Sequence, residues 1–551
     1  MSPLHTLRSL PSFIQPILSR FRTRKSLFLV ITVSCVIFLF YVSTAYEWTM
    51  SRLPGSFSSK FGFSGGQPFG VCSPEEYASG QWIRRPYWSR PGPLSKTDLD
   101  DPRFRNGSVH TEGTKDVSMT KPEDILDFAR FGGCASSREF WWHLAADREE
   151  QWDRFPGALE WEWVPGGWCG KGEGGLREWV VHEVVRDLVE RGGWLLIGDS
   201  VTENHFFSLS CLLYPHVIAT PDYTKHQGSF DRAWPQHLYL NPESPLFQDD
   251  GTIRMTKHKA GFQNTSRRPV RFPIGFDPAK TPLVTFRRVD LLWQKEELLM
   301  MHKELHPEIY AANPAFQLFG DEAVWTMSPD EYMNIFTKPM PEGNYAAMVV
   351  STAGHWTTGL FHGYHVEDGD GSTVLFSNDT ELVRSPNLVT KLPSNTTGEV
   401  VLGYDGLLTF FGEVMERWAE QVQRRLDGSE FGAVVSPRGV YPPGRGAMAP
   451  RQVVVRAYLP GHEDCHAHRE AWSEILPFKW NWYNWGEIWK YNRIFEDILS
   501  KHANVHFLNI ARPGRLRPDA HASGDCLHIM SGAGVLEGWS HYIWHYITRE
   551  V

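Results

Sequence analysis

Trp194–Leu213 reads WLLIGDSVTENHFFSLSCLL. Trp194, Leu195, Leu196 and Ile197 form a short unbroken apolar run, the pattern of a strand covered on both faces. A tight turn at Gly198-Asp199-Ser200 follows, then a helix. Gly198 permits the reversal, and Ser200 falls at the helix start, where backbone N–H groups have no helical partner. A hydroxyl there lies in a positive field beside donors that could hold an oxyanion, a favourable place for a nucleophile. The plainer reading is an ordinary helix cap, since Asp and Ser are common at that position.

The far end of the chain favours chemistry. Asp525-Cys526-Leu527-His528 precedes a C-terminal helical pattern over Val535–Ile547. An Asp and a His three residues apart share one side of a turn, so the carboxylate can orient the imidazole. An early Ser with late Asp and His follows the Ser…Asp…His order of acyl-transfer sites on α/β folds.

Four more apolar runs read as buried strands: Pro282–Arg288, Ala346–Thr352, Gln452–Tyr458 and Val505–Ile510. Helical patterns lie around them, at Leu176–Arg191, Leu291–His302, Tyr404–Leu426 and Trp485–Ser500. This alternation predicts an α/β domain over 176–551, with a central parallel sheet of about five strands and helices on both faces. Ligands of such sheets bind at the carboxyl ends of the strands. Ser200 and the turn Ala353-Gly354-His355-Trp356 belong there. Residues 72–175 are rich in Cys and Trp and read as an N-terminal subdomain, with a short helix at Pro122–Phe131. Lys96–Asp116 and Gly428–Pro450 read as loops.

The chain has 551 residues and a net charge of −9, without the basic excess of a nucleic-acid binder. Its 23 Trp supply flat amphipathic surface, suited to sugar faces as well as to cores. Residues 26–46 carry no charge and are long enough to span a bilayer. Residues 1–25 are basic, which places that tail in the cytosol and the bulk of the chain in the lumen. A cleaved signal peptide would usually have a shorter core and a small-residue cleavage site, so an uncleaved signal-anchor is expected. Residues 47–71 read as a stem.

Cys35 lies inside the anchor. The six other cysteines suggest three disulfides, with fifteen possible pairings. Sequons at Asn106, Asn264, Asn378 and Asn395 all fall beyond the anchor. The 23 His raise the question of a metal. Cys465-His466-Ala467-His468 and His541…His545 are the best candidates, but neither has ribbon or HExxH spacing, and no metal is expected.

These motifs resemble the PC-esterase group within the SGNH hydrolases. More closely they are similar to the trichome-birefringence-like polysaccharide O-acetyltransferases, as a distant branch. The similarity runs in islands from Cys72 to the C-terminus: Cys72…Gly80-Gln81-Trp82-Ile83; Trp161-Glu162-Trp163-Val164-Pro165…Cys169; the GDS turn; Ser208–Leu213; Ser351–Trp356; Arg517-Pro518-Asp519-Ala520-His521; and DCLH. Six islands in one order beside the GDS turn are more specific than GDS alone. The resemblance implies an SGNH-like three-layer sandwich and a single-pass type II Golgi membrane protein that moves an acetyl group onto a glycan. It implies the pairs Cys72–Cys169, Cys134–Cys211 and Cys465–Cys526. Glu203 stands where that family usually has Arg, Thr352 where it has Asn, and Met530 where it has a second C-terminal Cys.

Ser200, Asp525 and His528 are therefore expected to be catalytic. Backbone N–H groups at Ser200 and Val201, with Asn204, are expected at the oxyanion. Gly354, His355 and Trp356 are expected at the substrate. Asp199 is expected to hold the turn under Ser200, and Arg517, Asp519 and His521 to brace the DxxH turn. No bound cofactor is expected, although an acetyl donor of unknown identity is required. If water accepts the acetyl group, the same residues make a glycan esterase. From another class, a catalytically silent glycan-binding protein would keep the fold for recognition. Arg287, Arg288 and Asp290 read as a solvated ion pair, and Trp480, Trp482, Trp485 and Trp489 as core packing with a sugar platform as the minor alternative.

Overall fold

In a computed structural model of the chain, residues 72–85, 119–138, 143–170, 175–225, 231–244, 246, 255–258, 261–264, 270–365, 403–428, 451–479 and 482–551 are described. The expected anchor, stem and both expected loops lie outside them. So do the sequons at Asn106, Asn378 and Asn395; Asn264 ends a strand. Among the described residues no helix is long and apolar enough to cross a membrane.

The chain between Cys72 and Glu190 supplies helix α1 (Pro74–Ala78), strand β1 (Gln81–Arg84), α2 (Asp124–Ala129), β2 (Trp161–Val164) and α3 (Val181–Glu190). β3 (Gly193–Gly198) then runs straight into α4 (Ser200–Leu212). Next come β4 (Val217–Thr220), β5 (Gln236–Leu240), the small hairpin β6 (Met255–His258) and β7 (Gly261–Asn264), and β8 (Pro282–Arg288). Helices α5 (Lys295–Leu305), α6 (Pro307–Ala312) and α7 (Pro329–Phe336) lead to β9 (Tyr345–Ser351). The long helix α8 (Gly403–Asp427), β10 (Gln452–Arg456), α9 (Ile488–Leu499), β11 (Val505–Leu508), α10 (Arg512–Arg515) and α11 (Val535–His545) complete the series.

The central sheet has seven strands in the order β11-β10-β9-β3-β8-β5-β4. The first five are parallel, and they are the five apolar runs read from the sequence. β5 and β4 are additions, β5 paired antiparallel to β8 and β4 antiparallel to β5. They escaped the sequence reading because β5 alternates buried and half-buried residues, so it has no continuous apolar run. Every residue of β3, by contrast, is buried, as a central strand with both faces covered requires.

Cys72, Tyr77, Ile125, Phe155 and Trp163 join the same hydrophobic core as β3 and α11. The Cys/Trp-rich segment is also latched to the C-terminal part of the chain. Trp82 Nε1 donates to the Pro513 carbonyl (2.8 Å), and the Tyr542 hydroxyl donates to the Cys72 carbonyl (2.8 Å). The three disulfides are Cys72–Cys169, Cys134–Cys211 and Cys465–Cys526, the pairing implied by the resemblance.

Candidate active site

The turn after β3 is built for close approach. A Cβ on Gly198 would lie 2.3 Å from Thr202 Oγ1 and 2.6 Å from the Ser351 carbonyl oxygen, so only glycine fits between α4 and β9. Asp199 is the N-cap of α4. Its Oδ1 accepts from the Val201 N–H (3.0 Å) and its Oδ2 from the Tyr458 hydroxyl (2.7 Å). Fully buried and doubly bonded, Asp199 holds the turn, as expected. Ser200 occupies the first helical position and is partly exposed. The Val201 N–H, expected at an oxyanion, is already bonded to Asp199. Ser200's own N–H has no partner one turn back, because the helix begins there.

Asp525 and His528 meet as the three-residue spacing predicts. Asp525 Oδ2 lies 2.6 Å from His528 Nδ1, and its Oδ1 accepts from the N–H groups of Leu527 and His528, both at 2.8 Å. Burial works against the charged carboxylate. The bond from the His528 ring, the charge on that ring and the two N–H groups outweigh it, and hold the Asp525 carboxyl well below the usual range. An ionised carboxylate only accepts, so it selects the tautomer with the proton on Nδ1, leaving the lone pair on Nε2.

The frame around this turn is dense. Cys526 sits inside it and is tied to Cys465. His521 bridges to Ile529, and the Ala522 N–H donates to the His528 carbonyl (2.7 Å). Arg517, fully buried, pairs with Asp519 through Nε–H to Oδ1 (2.8 Å), and its remaining N–H groups reach the carbonyls of Ala533 (2.6 Å) and Ala158 (2.5 Å). His521 Nε2 lies 2.6 Å from His462 Nδ1, and His462 Nε2 is 2.9 Å from the Arg515 carbonyl. A carbonyl only accepts, so His462 carries its proton on Nε2 and accepts from His521. Burial keeps both rings neutral, pushing His462 down to about 4 and His521 well below its usual value. Of the three residues expected to brace the DxxH turn, His521 reaches its end through the bridge to Ile529, whereas Arg517 and Asp519 bond each other and Arg517 the carbonyls of Ala533 and Ala158. His462 was not legible as a brace, because its partners lie 53 and 59 positions away.

Asn204 joins the two motifs. It stands one turn after Ser200, and its Nδ2 donates to the carbonyl of Ile529, the residue after His528, at 2.8 Å. It is buried and acts as a strut between α4 and the DxxH turn.

The turn after β9 places Gly354 and His355 beside Asp199. A Cβ on Gly354 would come within 2.1 Å of the Tyr458 hydroxyl, so the glycine makes room for the bond between Tyr458 and Asp199. His355 lies between Asp290 Oδ1 (3.8 Å from Nε2) and Glu322 Oε1 (3.5 Å from Nδ1). Burial alone would lower its pKa; the Glu322 contact and the charges of Asp290 and Asp199 prevail and raise it. Trp356, expected at the substrate, is fully buried. It stacks on Phe361 at 4.5 Å and meets Phe411 edge-on at 4.8 Å, so it belongs to the core.

Beneath Ser200 lies a buried charge cluster. Glu203 bonds Arg138 and accepts from Gln236 Nε2 (2.5 Å), with Arg288 Nη1 at 3.9 Å. Arg288 in turn pairs with Asp290 at 2.9 Å, and the two side chains are 4% and 0% exposed. This corrects the reading of Arg288 and Asp290 as a solvated pair: β8 ends in the interior. Thr352 is buried and donates to the Asp290 carbonyl (2.7 Å). Cys465, His466 and Cys526 are close enough to share an ion, but the two sulfurs are bonded to each other and are not thiolates. No protein-family model matches the chain, and no curated protein matches it.

Proposed function

We propose that the chain is a membrane-anchored, secretory-pathway O-acetyltransferase acting on a glycan hydroxyl through Ser200, His528 and Asp525. The observation that carries the reading is the 2.6 Å contact between Asp525 and His528 Nδ1, on a turn strutted by Asn204 to the helix that begins at Ser200. In the first half-reaction His528 Nε2 takes the Ser200 hydroxyl proton as Oγ attacks the acetyl carbonyl. The bond to the departing alcohol breaks, and the imidazolium returns the proton to it. In the second half-reaction a sugar hydroxyl gives its proton to Nε2 and attacks the acetyl-enzyme. Ser200 Oγ then leaves and recovers the proton. Asp525 stabilises the imidazolium in both.

Hydrolysis is the second reading, because the Asp525 side chain is 39% exposed and water reaches that flank. A silent glycan-binding protein is disfavoured by the complete dyad. One experiment separates the three. The full-length chain and its Ser200→Ala variant are given 4-nitrophenyl acetate with and without a mixed oligosaccharide panel, and products are read by mass. Ser200-dependent acetylation of a sugar supports transfer. Ser200-dependent acetate release that ignores sugars supports an esterase. No Ser200-dependent turnover from folded protein overturns both.

A further inference from the structure

A strained segment at the carboxyl edge of the sheet carries an exposed aromatic ring. Tyr483 and Asn484 are both left-handed, at φ 46° and 57°, and neither is glycine. A non-glycine residue rarely adopts this conformation, so the surroundings must impose it. Asn484 shows how: it is fully buried, and its Nδ2 donates to the carbonyls of Ala353 (3.2 Å) and Trp356 (2.8 Å). Trp485, also buried, lies against Gly461, where an added Cβ would meet its ring at 2.4 Å and the Cys526 carbonyl oxygen at 2.5 Å. The segment is thus pinned between the turn that carries His355 and the turn that carries His528. From these anchors Tyr483 projects, 72% exposed, with its ring 6.1 Å from that of Trp485.

A cleft of about 1110 Å³ begins at Trp485 and Gly486 and continues along α9 past Trp489, with Phe478, Asp405, Arg493 and Glu496 also lining it. Flat aromatic surface interleaved with hydrogen-bonding groups of both signs suits a ligand with an apolar C–H face and a hydroxyl rim. A pyranose ring has that chemistry.

We propose that Tyr483 is a stacking platform for a pyranose ring of an oligosaccharide whose further units lie in the cleft along α9. The inference deepens the acyl-transfer reading and rests on it for calling that saccharide the acceptor. The test uses the full-length chain with Ser200→Ala, so that nothing turns over. Saturation-transfer NMR is recorded with cellohexaose, xylohexaose, mannohexaose and chitohexaose. Ring protons of at least one hexasaccharide receive saturation. Adding Tyr483→Ala weakens that affinity about 10-fold, whereas Tyr483→Trp retains it. Tyr483→Asn removes the ring with a residue that tolerates the left-handed backbone, and weakens binding equally. Unchanged affinity in Tyr483→Ala and Tyr483→Asn, or no hexasaccharide binding by the parent, overturns the platform. Ester turnover by the unmutated chain tells the two readings apart. Ser200-dependent turnover without saccharide binding sinks the platform alone. Tyr483-dependent saccharide binding without turnover sinks the acyl-transfer reading and leaves the platform standing.

Discussion

The Tyr458 hydroxyl donates to Asp199 Oδ2 at 2.7 Å across 259 positions of sequence, and it reaches that oxygen only because residue 354 is glycine. The bond connects the ends of three strands, β3, β9 and β10, at the point where Ser200 is presented. Tyr458→Phe leaves a buried carboxylate short of a donor and destabilises the fold by about 1–3 kcal/mol. Gly354→Ala pushes the phenol away and removes the same bond. The two substitutions are therefore expected to be non-additive, the double variant losing clearly less than the sum of the singles in urea unfolding. Additive losses would show that Gly354 has another purpose.

Asp525→Asn tests the dyad. The amide can donate as well as accept and so no longer selects the Nδ1-protonated tautomer of His528. Ser200-dependent ester turnover, measured well below unfolding, is expected to fall by about 10⁴-fold, and the melting temperature falls too because the carboxylate's contribution to stability is lost. A decrease of less than about tenfold would remove Asp525 from the chemistry.

Two shifted groups give stability of opposite pH dependence. The Asp525 pKa is depressed in the fold, so its contribution is complete above the unfolded value of about 3.9 and fades as pH falls through the lower folded value. The His355 pKa is raised, so its contribution is complete below about 6.5 and fades as pH rises through the higher folded value. His355→Gln should therefore lower stability most at mildly acid pH and converge on the parent in alkali. A constant offset across pH 5–9, on the order of the loss at pH 5, would contradict the pairing with Glu322 and Asp290.

Glu203 is the buried countercharge of Arg138 and Arg288. Glu203→Ala leaves those guanidiniums under-compensated in the interior and is expected to cost about 3–5 kcal/mol. Replacing the pair together, as Glu203→Leu with Arg138→Met, should recover most of that loss in the same unfolding experiment. Failure to recover it would show that packing, not charge, dominates at this position.

Cys526 lies between Asp525 and His528, so its bond to Cys465 restrains the turn that carries both. Cys465→Ser with Cys526→Ser is expected to lower stability by about 2–4 kcal/mol and to reduce turnover at temperatures well below unfolding. Turnover equal to the parent under those conditions would confine the disulfide to a role in stability.

Five parallel strands, the turn at Gly198 and the pairing of Asp525 with His528 could be read from residues near one another in the chain. A strand buried on both faces must be apolar throughout, and a carboxylate three residues from an imidazole meets it within one turn. These are local constraints, and they leave local patterns. The added strand β5 left a weaker pattern, because a strand that keeps one side half exposed alternates. The tertiary structure alone decided what surrounds the motifs. Glu203 looked like a departure at an exposed helix start until Arg138 and Gln236 closed over it. Trp356 and the pair Arg288–Asp290 looked like site and surface, and both proved interior. Burial and charge compensation depend on partners tens or hundreds of positions away, and only the folded chain brings those partners together.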